Sequence, residues 1–166
     1  MRILLASLLV LIGGIGAAQA QARVDDGKVV RRGIYELGKV KAIDDPSIST
    51  GHRTEATSVT FKEHRQRIEV KDGTVFGLDL IVNGRPRGER IPVRVIWRYP
   101  DPGLRNPDSG KTKFKDEYND TVTLGSESTY YWSVGAQWQR VEGTWTFELW
   151  YRDRQLLKQN FEIVRE

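Results

Sequence analysis

An all-β fold, a single antiparallel two-layer sandwich, is what this sequence of 166 residues predicts. Three observations predict it. Apolar residues recur mostly at every second position, the period of a half-buried strand, and seldom at helical spacing. Turn signals built on Gly, Asn, Asp and Pro arrive roughly every 8–15 residues, the spacing of a sandwich or barrel. Strand patterns do not alternate with helical ones, which disfavours a doubly wound sheet. The chain has no cysteine. That excludes a disulfide scaffold, thiolate zinc sites and a cysteine nucleophile. Stability therefore rests on the core, for which five Trp, six Tyr and five Phe are at hand.

The N-terminus reads as an address. Met1-Arg2 is basic, Ile3 to Ile15 is uncharged and apolar, and Ala18-Gln19-Ala20 is a small-x-small cleavage site. These are the three parts of a secretory signal peptide over residues 1–20. Ala20-Gln21-Ala22 also permits cleavage after Ala22. The apolar run is shorter than the roughly 20 residues of a spanning helix, and no later stretch reaches that length. The expectation is an exported protein, periplasmic or secreted, with no stable membrane span once the signal is removed. Loss of residues 1–20 lowers the net charge from +4 to +3, because Arg2 leaves.

Residues 21–28 are polar and read as a flexible lead-in; residues 29–166 read as one β-sandwich domain. Val29 to Ile43 forms a first extended stretch, interrupted at Gly33 and Gly38. Asp44 to His52 is rich in turn residues. Thr57, Val59 and Phe61 alternate in a second strand. Ile68 and Val70 mark a short third, ending at Asp72-Gly73. Phe76, Leu78, Leu80 and Val82 line one face of a fourth, and Asn83-Gly84 marks a turn. The next strand opens at Pro92 and sets Val93, Val95, Trp97 and Tyr99 against Arg94, Ile96 and Arg98. Pro100 to Asp120 is a long polar connection holding three prolines, and long loops are often functional. Thr121 to Leu124 is a short strand. Tyr130, Trp132 and Val134 alternate in the next, and Trp145, Phe147, Leu149 and Tyr151 in the one after. A turn at Asp153 leads to Leu157, Phe161 and Ile163. The total is eight or nine strands, with Trp97, Trp132, Trp145, Phe147 and Phe161 as core. The last two strands form a hairpin like the one that closes immunoglobulin-like Greek-key sandwiches. Without a cysteine pair, the comparison is to the fibronectin-like group. Such an analogy carries no function.

Several segments resemble a family of small exported bacterial proteins classified only as a domain of unknown function. They are Gly33-Ile-Tyr-Glu36, Thr50-Gly-His-Arg53, Val95-Ile-Trp-Arg-Tyr-Pro100, Gly103-Leu-Arg-Asn-Pro107, Tyr130-Tyr-Trp132 and Gly143-Thr-Trp-Thr-Phe-Glu-Leu-Trp-Tyr151. The resemblance spans nearly the whole mature chain. It implies bacterial export and one β-rich domain, and it supplies no activity, ligand or catalytic residue.

The inventory for catalysis is thin. His52 and His64 are the only histidines, and their spacing matches no metal motif. No Gly-x-Ser-x-Gly elbow is present, and no glycine-rich phosphate loop. Asp101, Asp108, Asp116 and Asp120 do not follow EF-hand spacing. No catalytic residue, metal or cofactor is assigned. Lys and Arg never run beyond two in a row and acids interleave with them, which excludes a nucleic-acid face. Two candidate binding regions remain. On the outward faces of two strands, Arg94, Ile96, Arg98, Glu148 and Trp150 would form an exposed patch of the kind that marks contact sites. In the long loop, Arg105 and Lys111, with Arg98 beside them, would meet an anionic group, while pairing of Arg105 with Asp108 is the plainer account. Tyr130, Tyr131, Trp132 and Trp138 are a possible sugar-stacking platform, with core packing the plainer account. The expectation is a non-catalytic binding or interaction module of the bacterial cell envelope, its partner a protein or glycan. One alternative is an envelope glycan hydrolase using the loop carboxylates Asp116, Glu117 and Asp120. Another is a structural or accessory subunit of an envelope complex.

Overall fold

The computed structural model describes residues 22–165; the segment read as a signal peptide, residues 1–20, lies outside them. In chain order the strands are β1 (Arg23–Leu37), β2 (Val40–Asp44), β3 (His52–Ala56), β4 (Val59–His64), β5 (Arg67–Val70), β6 (Val75–Arg85) and β7 (Arg90–Arg98). They continue as β8 (Leu104–Arg105), β9 (Thr112–Lys113), β10 (Lys115–Thr123), β11 (Glu127–Ser133), β12 (Gly143–Tyr151) and β13 (Arg154–Arg165). Nine of these build a sandwich, with one sheet ordered β11-β6-β1-β4 and the other β10-β7-β12-β13-β5. The remaining four form two short ribbons, β2-β3 and β8-β9. Among the described residues a single 3-10 turn, Gln137–Gln139, interrupts the strands. No helix among the described residues is long and apolar enough to cross a membrane.

The all-β expectation holds, and so do the five core residues. Phe76 of the four-stranded sheet meets Trp97, Trp145 and Phe161 of the other edge-on, with ring centroids 6.0, 5.7 and 5.4 Å away. Trp97 also lies 5.1 Å from Phe147 and 6.2 Å from Trp132. Each such pair adds roughly 0.5–1.5 kcal/mol beyond the area it buries. The C-terminal hairpin is β12-β13, paired from Gly143↔Ile163 to Tyr151↔Arg154. One pairing departs from the antiparallel rule: β5 runs parallel to β13 at the edge of its sheet.

Five sequence expectations need correction. Residues 23–28, taken for a lead-in, are the start of β1 and pair with β6 from Arg23↔Arg85 onward. Backbone pairing holds them, with Arg154 donating to the carbonyls of Val24 and Asp25. β4 begins its pairing only at Gly33, so this length of β1 is open on that side and tolerates polar residues. The single stretch Val29 to Ile43 is two strands, broken at Gly38-Lys39. Asn83-Gly84 is no turn, since β6 runs to Arg85. A Cβ on Gly84 would lie 2.4 Å from the Arg23 carbonyl oxygen, so this glycine serves a close strand approach. Similarly, β7 opens at Arg90, before Pro92. Finally, the long connection ends at Phe114, because Lys115 to Asp120 belong to β10. β10 is the outermost strand of its sheet, so its charges alternate between faces and hide an ordinary strand period.

Candidate functional site

β10 and β11 each end a sheet, and they flank the same side of the sandwich. Across the gap, the Tyr130 hydroxyl donates to Asp120 Oδ2 at 2.9 Å. The other oxygen of Asp120 accepts from the Thr121 backbone N–H at 2.7 Å. This carboxylate therefore caps an edge N–H of β10 and clips the two sheets together, a protection that open edges need.

A strap closes the same side. Residues 38–58, between β1 and β4, carry the β2-β3 ribbon over the gap. The tip is held by Asp116, which accepts from the Ser49 N–H and hydroxyl, both at 2.7 Å. Asp116 is only 2% exposed. Its position opposite Trp97 turns its carboxylate to the inner face. Asn106 Nδ2 donates to the Ser49 carbonyl at 3.0 Å, and Lys113 Nζ to that of Ser47. Near β11, the Tyr131 hydroxyl donates to the Thr54 carbonyl at 2.7 Å. The long loop thus buttresses the strap.

Beneath the strap lies a cleft of about 290 Å³. Trp97, Tyr130 and Trp132 line it as buried floor. Tyr118 and Tyr131 are half-buried walls, and His52, Arg53, Asp120 and Thr129 stand exposed at the rim. Burial foremost, then the Asp120 carboxylate, pushes the Tyr118 and Tyr130 phenols well above their ordinary range. Burial also raises the Tyr131 phenol, with a smaller push from Glu55. All three remain protonated hydrogen-bond donors at physiological pH. The Trp132 indole N–H is buried without a hydrogen-bond partner.

The predicted sheet-face residues do come together, but not as an open apolar patch. β7 and β12 are neighbours, with Ile96 opposite Glu148 and Arg94 opposite Trp150. Ile96 is 3% exposed, against expectation. It sits on a strand paired on both sides, opposite Glu117 of β10 and Glu148 of β12. Arg98 Nε donates to Glu148 Oε1 at 2.7 Å. The Trp150 indole donates to Glu148 Oε2 at 2.9 Å. The Arg94 guanidinium lies 5.5 Å from the Trp150 ring centre, with Glu117 at 3.6 Å. Burial pushes the Glu148 carboxyl up, but hydrogen bonds from Arg98 and Trp150 more than offset this and hold it below its ordinary value. The cluster pairs its own charges, while the buried Arg94 Nε makes no hydrogen bond.

Arg105, Asp108 and Lys111 are exposed in the long loop, and none lines the cleft. Asp108 donates its backbone N–H to Asn106 Oδ1 at 2.9 Å. His64 packs edge-on against Phe61, away from His52. Among the described residues, no three His, Asp or Glu side chains gather to hold a metal. Tyr130 and Trp132 are core residues that also floor the cleft, and Tyr131 reaches it from the outer face of β11. Sequence reading missed Tyr118, Ser49 and the strap. The signal for Tyr118 was present: it shares a period of two with Asp116 and Asp120, obscured once that segment is taken for a loop.

Asp116 and Asp120 stand four residues apart on a strand, so their backbones are about 13 Å apart. Both groups here are held as acceptors, one by Ser49 and the other by Tyr130 and Thr121.

No protein-family model matches the chain, and no curated protein matches it. A crystal structure of an immunoglobulin-like protein from Pseudomonas aeruginosa is similar, with a TM-score of 0.59 at 21% identity. The similarity covers 89% of this chain and 99% of that one. At this identity the likeness shows the fold, an immunoglobulin-like β-sandwich.

Proposed function

We propose that this chain is an exported binding module of the bacterial cell envelope, taking its ligand in the cleft between β10 and β11 without covalent chemistry. Export rests on the signal pattern of residues 1–20 and on the resemblance to small exported bacterial proteins. The cleft carries the rest: it is an aromatic-floored cavity with polar walls, close to the small end of ligand sites, and its carboxylates are engaged as structural acceptors. The cleft takes precedence over the Trp150 face because that cluster has paired its own charges. No cofactor is needed, and nothing in the charge pattern favours nucleic acid.

The test is capture from envelope extract with three tagged mature proteins: wild type, Tyr118→Leu, and the double variant Arg98→Ala/Trp150→Ala. Near-ultraviolet circular dichroism verifies that each is folded. A glycan or protein held by wild type and the double variant but lost by Tyr118→Leu is the expected result. Loss in the double variant alone would move the site to the sheet face. Turnover of envelope glycan that disappears on changing Asp116, Glu117 or Asp120 would replace this reading with a hydrolase. A constant partner retained by every variant would make the chain an accessory subunit.

A further inference from the structure

We infer that the cleft takes a single uncharged sugar ring; this rests on the cleft being the binding site. A pyranose has an apolar face of C–H groups and a rim of hydroxyls that both donate and accept. A site for it needs aromatic surface beside fixed donors and acceptors of both kinds. Tyr118 and Tyr131 provide half-buried rings on opposite walls. The Tyr131 ring is fixed by its bond to the Thr54 carbonyl. Ser133 adds a hydroxyl along β11, and the Thr129 hydroxyl, which donates to Asp79 at 2.6 Å, keeps only its acceptor side for a ligand. Asp120 sits at the rim with one partner on each oxygen, and a carboxylate has about four acceptor sites in all.

Size and charge narrow the occupant. About 290 Å³ holds one ring and not a chain. A wholly apolar ligand would leave the hydroxyls and carboxylates of the walls unmatched, at a desolvation cost. An anion would meet Asp116 and Asp120. A cation would meet Arg53, and the acids that would draw it are partly answered already, Asp116 by Lys113 at 3.9 Å. Arg53 is in turn held by Asp45 at 3.0 Å. Mixed, internally balanced charge favours a neutral polar ligand over either ion.

Trp97 and Trp132 in the floor supply a reporter. Intrinsic fluorescence and NMR chemical shifts of the mature chain would be followed during titration with glucose, N-acetylglucosamine, choline and acetate. Wild type should respond saturably to at least one of the two sugars, in the millimolar range expected of one small ring. Tyr118→Leu should weaken that response tenfold or more, Tyr118→Phe less, and Trp150→Leu not at all. Saturation by choline or acetate without either sugar would overturn the sugar assignment and leave the cleft as the site. No saturable shift with any probe would also overturn it. If capture from extract were then indifferent to Tyr118→Leu, the cleft itself would fall as the site.

Discussion

Trp97 touches more of the aromatic core than its position in the chain would show. Its ring packs against Phe76, Trp132, Phe147 and Phe161, and it is 2% exposed. Truncation removes that ring and leaves a cavity that rigid sheets cannot fill. Trp97→Ala should cost about 3–5 kcal/mol, and a melting curve like that of wild type would contradict the core assignment. Glu148 makes a second prediction, on pH. Its carboxyl is held below its ordinary value of 4.5 by Arg98 and Trp150, despite burial. A depressed carboxylate contributes stability that is present above the unfolded value and lost as pH falls through the folded one. Glu148→Gln should therefore lower stability at neutral pH by about 1 kcal/mol or less, because Arg98 is half exposed and screened. The gap from wild type should close below about pH 4.5. Denaturant midpoints measured between pH 3 and pH 7 (roughly spanning the carboxylate range) check this, and a gap unchanged with pH would reject the coupling.

The strap is the element whose stability is most separable from the rest. It belongs to neither large sheet, and its tip depends on Asp116 accepting two hydrogen bonds from Ser49. Asp116→Ala leaves a buried N–H and hydroxyl without that acceptor, a loss of about 1–3 kcal/mol. The loss should be local. Amide exchange across residues 44–56 should quicken while the β6 and β12 amides stay protected. Unchanged exchange in the strap would show that the latch does not hold it. At this scale sequence reading was most uneven. β7, β11 and β12 were legible because their inner faces are unbroken rows of large apolar residues. β2 and β3 were not, since Val40–Asp44 and His52–Ala56 form a mostly exposed ribbon with little apolar alternation. β10 was half legible, from Thr121 on, because its first six residues carry charge on one face and cleft-lining groups on the other.

For the whole molecule, one core joins both sheets through Phe76, Trp97 and Trp145. Unfolding should accordingly be one transition, coincident by tryptophan fluorescence and far-ultraviolet circular dichroism. Separate midpoints would mean that the sheets melt independently. The fold class, the central strands, the five core aromatics and the closing hairpin were determined by sequence, because side-chain alternation and turn chemistry are local properties of neighbouring residues. The candidate site was decided by tertiary structure. Ile96 shares the outward face of β7 with Arg94 and Arg98, yet it is buried, flanked by Glu117 of β10 and Glu148 of β12. The cleft joins residues 48–54, 116–120 and 129–135, segments that meet through strand order and the crossing of the strap. Strand order depends on which side-chain faces pack together across distant parts of the chain, and the backbone hydrogen bonds that join strands are the same for every side chain, so no local pattern names the partner strand.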